Sequence, residues 1–105
     1  MFELYTGESY LFQWDRDQKF IVYDDRVDQV IFSDSFTPYG IPKTCYMLDG
    51  KKVVDIPNVL LETNGRLSAY AYVIDEKGEY TLKVEMWNIV EKKKPNDYVE
   101  DEEEL

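Results

Sequence analysis

The chain has 105 residues, 44% hydrophobic and 15% aromatic, which suits one domain with a packed core and no need of disulfides or metals. A single cysteine and no histidine exclude an intrachain disulfide, a zinc-type cysteine cluster and Ser-His-Asp or Cys-His catalysis run by this chain alone. The formal net charge of −10 leaves no basic face for nucleic acid, no apolar run approaches the ~20 residues of a membrane span, and "MFELYTGESY" has neither the basic start nor the apolar stretch of a signal peptide.

From the N-terminus the pattern is short strands broken by turn residues. "FELYT" (2–6) reads as a first strand, stopped by Gly7. "YLFQWD" (10–15) sets Tyr10, Phe12 and Trp14 on one face, and "KFIVYD" (19–24) reads as the return arm of a hairpin. On that phase Trp14 is a core residue. "DDRVDQ" is a charged loop, "VIFS" (30–33) a short strand, and "SDSFTPYGIP" a connection rich in Ser, Pro and Gly. Asp49-Gly50 marks a hairpin turn between two β-prone runs. A second hairpin has arms 66–74 and 79–90 about the turn "DEKG". Its second arm alternates Leu82, Val84 and Met86 with Thr81, Lys83 and Glu85, as a strand with one face on a core requires.

No segment sustains helical periodicity. The spacing of turn signals, about 8–12 residues, predicts an all-β, antiparallel β-sandwich of immunoglobulin-like, Greek-key type. The sandwich is expected over 1–91. Residues 92–105 read as an acidic linker or tail: from Asp97 onward there are six acids and no bases, which leaves −4 for the rest of the chain. Lys92, Lys93 and Lys94 form the only basic run and read as solvated linker.

Between the two hairpins lies "DIPNVLLETNGRLSAYAYV" (55–73). Pro57 disfavours a central strand, so "IPNVLLE" is expected as a tight or 3₁₀ turn near 56–61 that tucks Ile56, Leu60 and Leu61 under the end of the sandwich. Asn64-Gly65 supplies a turn with φ > 0 before the next strand. Tyr70 or Tyr72 is expected to brace this corner with a hydroxyl-to-backbone bond, by analogy with the corner tyrosines of such sandwiches. The stretch therefore reads as structure and not as a binding motif.

The residues point to no reaction. Asp15, Asp17, Asp24, Asp25 and Asp28 lack the glycine and closing glutamate of a calcium loop and read as solvated charges. Paired carboxylates for glycoside hydrolysis need a cleft that a small acidic domain does not announce. There is no glycine-rich phosphate loop, and Ser9, Ser33, Ser35 and Ser68 have no histidine partner. No catalytic residue, metal site or cofactor is expected. Most of the nine tyrosines are accounted for by strand preference. Trp87 has two readings. On simple alternation it falls with Lys83 and Glu85 on the outer face, where it can stack on a sugar or dock a protein. A β-bulge would return it to the core. Tyr39, in the Pro- and Gly-containing connection, is the second candidate for a contact surface.

Five segments in order, "LFQWDRDQKFIV", "VIFSD", "VVDIPNVLLE", "LSAYAYV" and "KKKPNDYVE", resemble the N-terminal β-sandwich domain of tail and baseplate-associated minor structural proteins of phages and prophages of Gram-positive bacteria. The pattern is carried by Gln13-Trp14-Asp15, Val30 to Ser33, Ile56 to Leu61, Tyr70 with Tyr72, and Lys94 to Val99; it departs at Glu100, where family members often carry another tyrosine. The resemblance implies a non-enzymatic virion structural module, made in the bacterial cytoplasm, that joins other tail or baseplate proteins and is a homo-oligomer in the assembled particle. The alternative expectation is a carbohydrate-binding module that recognises a host cell-surface glycan, motivated by the tyrosine count and Trp87.

Overall fold

A computed structural model of the chain describes residues 1–99. Among these, nine strands form two sheets packed as an all-β sandwich. The first sheet runs β1 (Phe2–Leu4), β3 (Lys19–Val22), β7 (Lys51–Asp55), β6 (Tyr46–Leu48). The second runs β2 (Leu11–Phe12), β9 (Gly78–Val90), β8 (Gly65–Asp75), β4 (Gln29–Asp34), β5 (Ile41–Thr44). Every pairing is antiparallel except that of β2 with β9.

Period-two alternation buries one face of each strand. On β8 the inner row is Leu67, Ala69, Ala71 and Val73; on β4 it is Val30 and Phe32. Phe20 of β3 joins the sheets. Its ring lies 5.4 Å from Phe2, 6.2 Å from Phe32 and 4.9 Å from Trp87.

Two turns follow from local chemistry. Asp49 (φ 50) and Gly50 (φ 77) join β6 to β7, both in the left-handed region that a two-residue hairpin loop of the primed type needs. Glu76-Lys77 joins β8 to β9, so the arms reach 65–75 and 78–90, one residue beyond the expected bounds at most ends.

Three expectations are corrected. The 10–15 and 19–24 segments are not a hairpin: β2 and β3 lie in different sheets, and β2 pairs in parallel with the end of β9. The phase there is also reversed, because Leu11 is buried while Tyr10 and Phe12 are exposed and Trp14 is only half-buried. On β9 the register shifts between Ala71 and Tyr72, so that Lys83 faces Ala71 and Thr81 faces Tyr72. This bulge turns Val84 and Met86 outward and sets Glu85, Trp87 and Ile89 on the inner row. Burial pushes the Glu85 carboxyl up, but the amino group of Met1 at 3.1 Å and hydrogen bonds outweigh this and hold it below its ordinary range.

The outer face of the first sheet carries tyrosine–carboxylate pairs. Ile21 and Val53 point away from the core, yet both are buried. Beside them, Tyr23 donates to Glu3 (2.6 Å) and Tyr46 to Asp55 (2.6 Å). Burial and then Asp55 push the Tyr46 phenol up to about 12, so it stays a donor. At the 24–28 loop the Lys52 ammonium donates to the carbonyls of Asp24, Asp25 and Val27 at 3.2, 3.2 and 2.7 Å. Asp24 accepts from the Arg26 backbone and guanidinium, which holds its carboxyl down at about 2.

The corner expected near 56–61 is a 3₁₀ turn, Asn58–Leu61, with Pro57 (φ −57) leading into it. Ile56, Leu60 and Leu61 are buried at its base. Its brace is neither Tyr70 nor Tyr72. These alternate with the buried alanines and project from the opposite face of β8. The corner is sewn instead to residues 13–18. The Asn58 side-chain oxygen accepts from the Asp17 backbone (2.8 Å), Ile56 donates to the Gln18 carbonyl (2.9 Å), and Trp14 donates to the Leu61 carbonyl (2.7 Å). These bonds hold Trp14 and Asp17 at φ 71 and 57.

The stretch after β9 also returns to this corner, contrary to a free linker from residue 92. Lys92 pairs with Asp15, and the Tyr98 phenol donates to Glu62 at 2.9 Å. The Tyr98 ring meets Trp14 edge-on at 5.2 Å, and Arg16 donates to the Val99 carbonyl. Burial and then Glu62 push the Tyr98 phenol up to about 12. The remainder of the expected tail, 100–105, lies outside the described residues.

Leu60→Ala and Leu61→Ala are each expected to destabilise the fold by about 2–5 kcal/mol in urea unfolding, and Asn58→Ala by about 1–3 kcal/mol through the unsatisfied Asp17 amide. The Asp24 contribution has a definite pH window. Its folded pKa lies below the unfolded value, so the stability is present above pH 3.8 and lost as pH falls towards about 2. Asp24→Asn should therefore be less stable than the parent at neutral pH and converge with it in acid.

Candidate interaction surface

The segment between β4 and β5, residues 35–40, is an exposed loop held at both ends. At its start Asp34 Oδ1 accepts from the backbone amides of Phe36 (2.9 Å) and Thr37 (2.8 Å) and from the Thr37 hydroxyl (2.9 Å). Such a side-chain acceptor fixes a turn without any strand pairing. At its end Ile41 pairs with Phe32, and a Cβ on Gly40 would lie 2.3 Å from Cγ2 of Ile31, so the chain passes against the outer face of β4 where only glycine fits. Between these pins Phe36 and Tyr39 project, 72% and 79% exposed.

Tyr39 separates two depressions. Towards the corner lies an apolar groove of about 400 Å³ walled by Phe36, Pro38, Tyr39, Ile41, Val59 and Leu60, with Asp34 and Glu62 also along it. Its shape follows from the fold: Ile41 and Leu60 are anchored by the core, so loop and corner stand at a fixed separation. On the other side lies a more polar depression of about 440 Å³, where Tyr39 faces Ser33, Thr37, Tyr70 and Thr81. This side continues into the outer face of the second sheet. Register places Pro42, Ile31, Tyr70 and Val84 in one row across four strands.

Of the sequence candidates, Tyr39 lies at the centre of this surface. Leu60 contributes to the groove wall from its buried position, while Leu61 and Pro57 serve the corner. Tyr70 borders the polar depression, and Tyr72 stands one strand pair further along the same face. Trp87 is elsewhere: it is half-buried and packs on Phe20, with its indole N–H towards Glu85 at 3.4 Å. The outer-face reading of Trp87 is thus replaced by the bulge reading. Phe36 was missed. Asp34, Ser35, Phe36 and Thr37 form the turn signal that could have found it, since an Asp accepting from amides two and three residues on is legible chemistry.

Three of the aspartates that the sequence singles out are engaged locally. Asp15 pairs with Lys92, Asp24 with Arg26 and Asp28 with Lys52. Among the described residues no group of three or more His, Cys, Asp or Glu is placed to hold a metal ion. Cys45 is half-buried, and burial pushes its thiol up to about 11. No helix among the described residues is long and apolar enough to cross a membrane.

No protein-family model, no curated protein and no solved structure matches the chain.

Two outcomes follow from this geometry. Trp87→Ala is expected to destabilise the domain by about 3 kcal/mol, near the lower end of aromatic truncations, in a thermal or urea melt. Cys45 should react slowly with a disulfide reagent at pH 8 in the native state and quickly in denaturant, because little thiolate forms when the folded pKa is about 11.

Proposed function

We propose that the chain is a non-enzymatic contact module whose working surface is the 35–40 loop. One observation carries this reading: two largely exposed aromatic side chains stand on a loop held by Asp34 at its start and closed by the pairing of Ile41 with Phe32 at its end. Exposed aromatics on a pre-ordered backbone lose little freedom on binding, and aromatic anchors dominate contact energies. With the ordered resemblance of five segments, the module is assigned to a phage or prophage virion, attaching to other tail or baseplate proteins. On this reading it is made in the bacterial cytoplasm and repeated in the assembled appendage.

The strand order supports an immunoglobulin-like Greek-key reading. β1-β3-β7-β6 then stand for A-B-E-D and β9-β8-β4-β5 for G-F-C-C′, with the 35–40 loop between C and C′. In such sandwiches loops at the ends of a rigid frame commonly carry recognition. The terminal strands β1, β2, β5 and β6 are short, and β5 carries Pro42, which lacks an amide donor, so none of these four is a long template for strand addition.

A second reading, recognition of a host cell-surface glycan, has its own observation. On its polar side Tyr39 stands beside the hydroxyls of Ser33, Thr37 and Thr81, an aromatic plate with donors near it. The two readings use opposite sides of one tyrosine, so variants separate them. Tyr39→Ala should weaken either partner at least about tenfold, the scale of a contact hot spot, with little change in melting temperature. Phe36→Ala should weaken a protein partner and spare a glycan. The measurements are capture from a virion or prophage lysate beside a glycan array. Unchanged binding in both variants defeats the loop assignment, and turnover of a cell-wall polysaccharide by the wild-type protein defeats the non-enzymatic one.

A further inference from the structure

We propose that the groove between the 35–40 loop and the 3₁₀ turn takes a short apolar segment of a partner protein flanked by a basic side chain. This rests on the contact-module reading and names the partner's chemistry.

The apolar half of the claim comes from the walls. Phe36, Ile41, Val59 and Leu60 line the groove, and its size is near the lower end of the ~300–1,000 Å³ range of ligand pockets. A depression of this size seats one or two side chains of a short segment. The walls are preset. Leu60 and Ile41 are held by the core, and the loop is tied at Asp34 and closed by the pairing of Ile41 with Phe32. A segment entering therefore need not order the groove.

The basic half comes from charge. The ionisable residues lining the groove are Asp34 and Glu62, and no lysine or arginine lines it. Asp34 accepts only from neutral donors, two backbone amides and a hydroxyl, so its charge meets no cation among the described residues. Glu62 accepts from the neutral Tyr98 phenol. The chain as a whole carries −10. An acidic segment would meet like charge at the groove and be repelled on approach, whereas a basic flank is steered in. The same net charge disfavours a second copy of this chain as the occupant.

The test uses the full chain, isotope-labelled, with amide spectra followed during titration by three blocked tetrapeptides: Lys-Leu-Leu-Lys, Glu-Leu-Leu-Glu and Lys-Ser-Ser-Lys. The expected result is saturable shifts at residues 36–41 and 59–63 with the first probe, and at least about fivefold weaker binding of the other two. Asp34→Asn keeps the side-chain oxygen that pins the loop and removes the charge. It should weaken the first probe about threefold at low salt and less at high salt. Equal binding of the lysine- and glutamate-flanked leucine probes overturns the charge assignment. Equal binding of the serine probe overturns the apolar one. Shifts elsewhere, or groove shifts that grow with protein concentration alone, overturn the site or its occupant. The two readings fail separately. If Tyr39→Ala abolishes capture while no probe moves the groove, the chemistry assigned here is wrong and the contact module stands. If the first probe binds as expected while Phe36→Ala and Tyr39→Ala capture partners unchanged, the groove's preference stands and the contact-module assignment falls.

Discussion

The packing of Phe20 against Trp87 is the contact on which the sandwich depends. Phe20 comes from the first sheet and Trp87 from the second, with ring centroids 4.9 Å apart. Phe2 and Phe32 extend the contact along both sheets. Trp87 reaches this position only because β9 carries an irregularity opposite Ala71 and Tyr72. Without it, strict alternation from Leu82 would bury Val84 and Met86 and expose the indole. The small residues on β8, Ala69 and Ala71, stand across from Glu85 and Lys83 of β9. Large side chains from the opposite sheet can therefore fill the middle of the core. One local shift thus decides that Trp87 is structural, and Phe36 and Tyr39 are the most exposed aromatics among the described residues.

The tyrosines divide by a related logic. A phenol can cover apolar surface with its ring while a carboxylate takes its hydroxyl. Tyr23 with Glu3 and Tyr46 with Asp55 stand beside Ile21 and Val53 in this way, and Tyr98 with Glu62 does the same for the corner. Many of the acids are thereby part of the structure. The same pairing disperses apolar surface that a sheet would otherwise show to water. Tyr39 has no such partner in the hydrogen-bonded structure described, and its ring is open on both sides.

What the sequence made legible was chemistry confined to a few neighbouring residues. Asp49-Gly50 identified a hairpin because left-handed backbone is a property of those two residues. Pro57 followed by Asn58 to Leu61 identified the corner because proline limits strand pairing and the leucines need cover. Phase was legible only where no distant strand intervened. The face of Leu11 is set by pairing with Ile89, and the face of Trp87 by a bulge against β8; neither constraint is visible within ten residues of the position it controls. The return of Tyr98 to Trp14 and Glu62 is hidden for the same reason, since its partners lie at the far end of the chain and at the corner. Phe36 was a different kind of omission. Its signal is local, the acceptor at Asp34, but it sits in a stretch rich in Ser, Pro and Gly that reads as plain connection.

Rigidity is what distinguishes this loop from a merely exposed one. Ordering a free segment on binding costs about 1–2 kcal/mol per residue, so six unpinned residues could consume most of the gain from two aromatic contacts. Asp34 removes much of that cost with three hydrogen bonds at the start of the loop, and the pairing of Ile41 with Phe32 closes its end. The corner across the groove is held by Asn58 and by the two leucines beneath it. Loop and corner are therefore tied to the same core through Ile41 and Leu60. A groove built this way selects its occupant by shape and charge that exist before contact, which is the condition under which a small domain can bind with few residues.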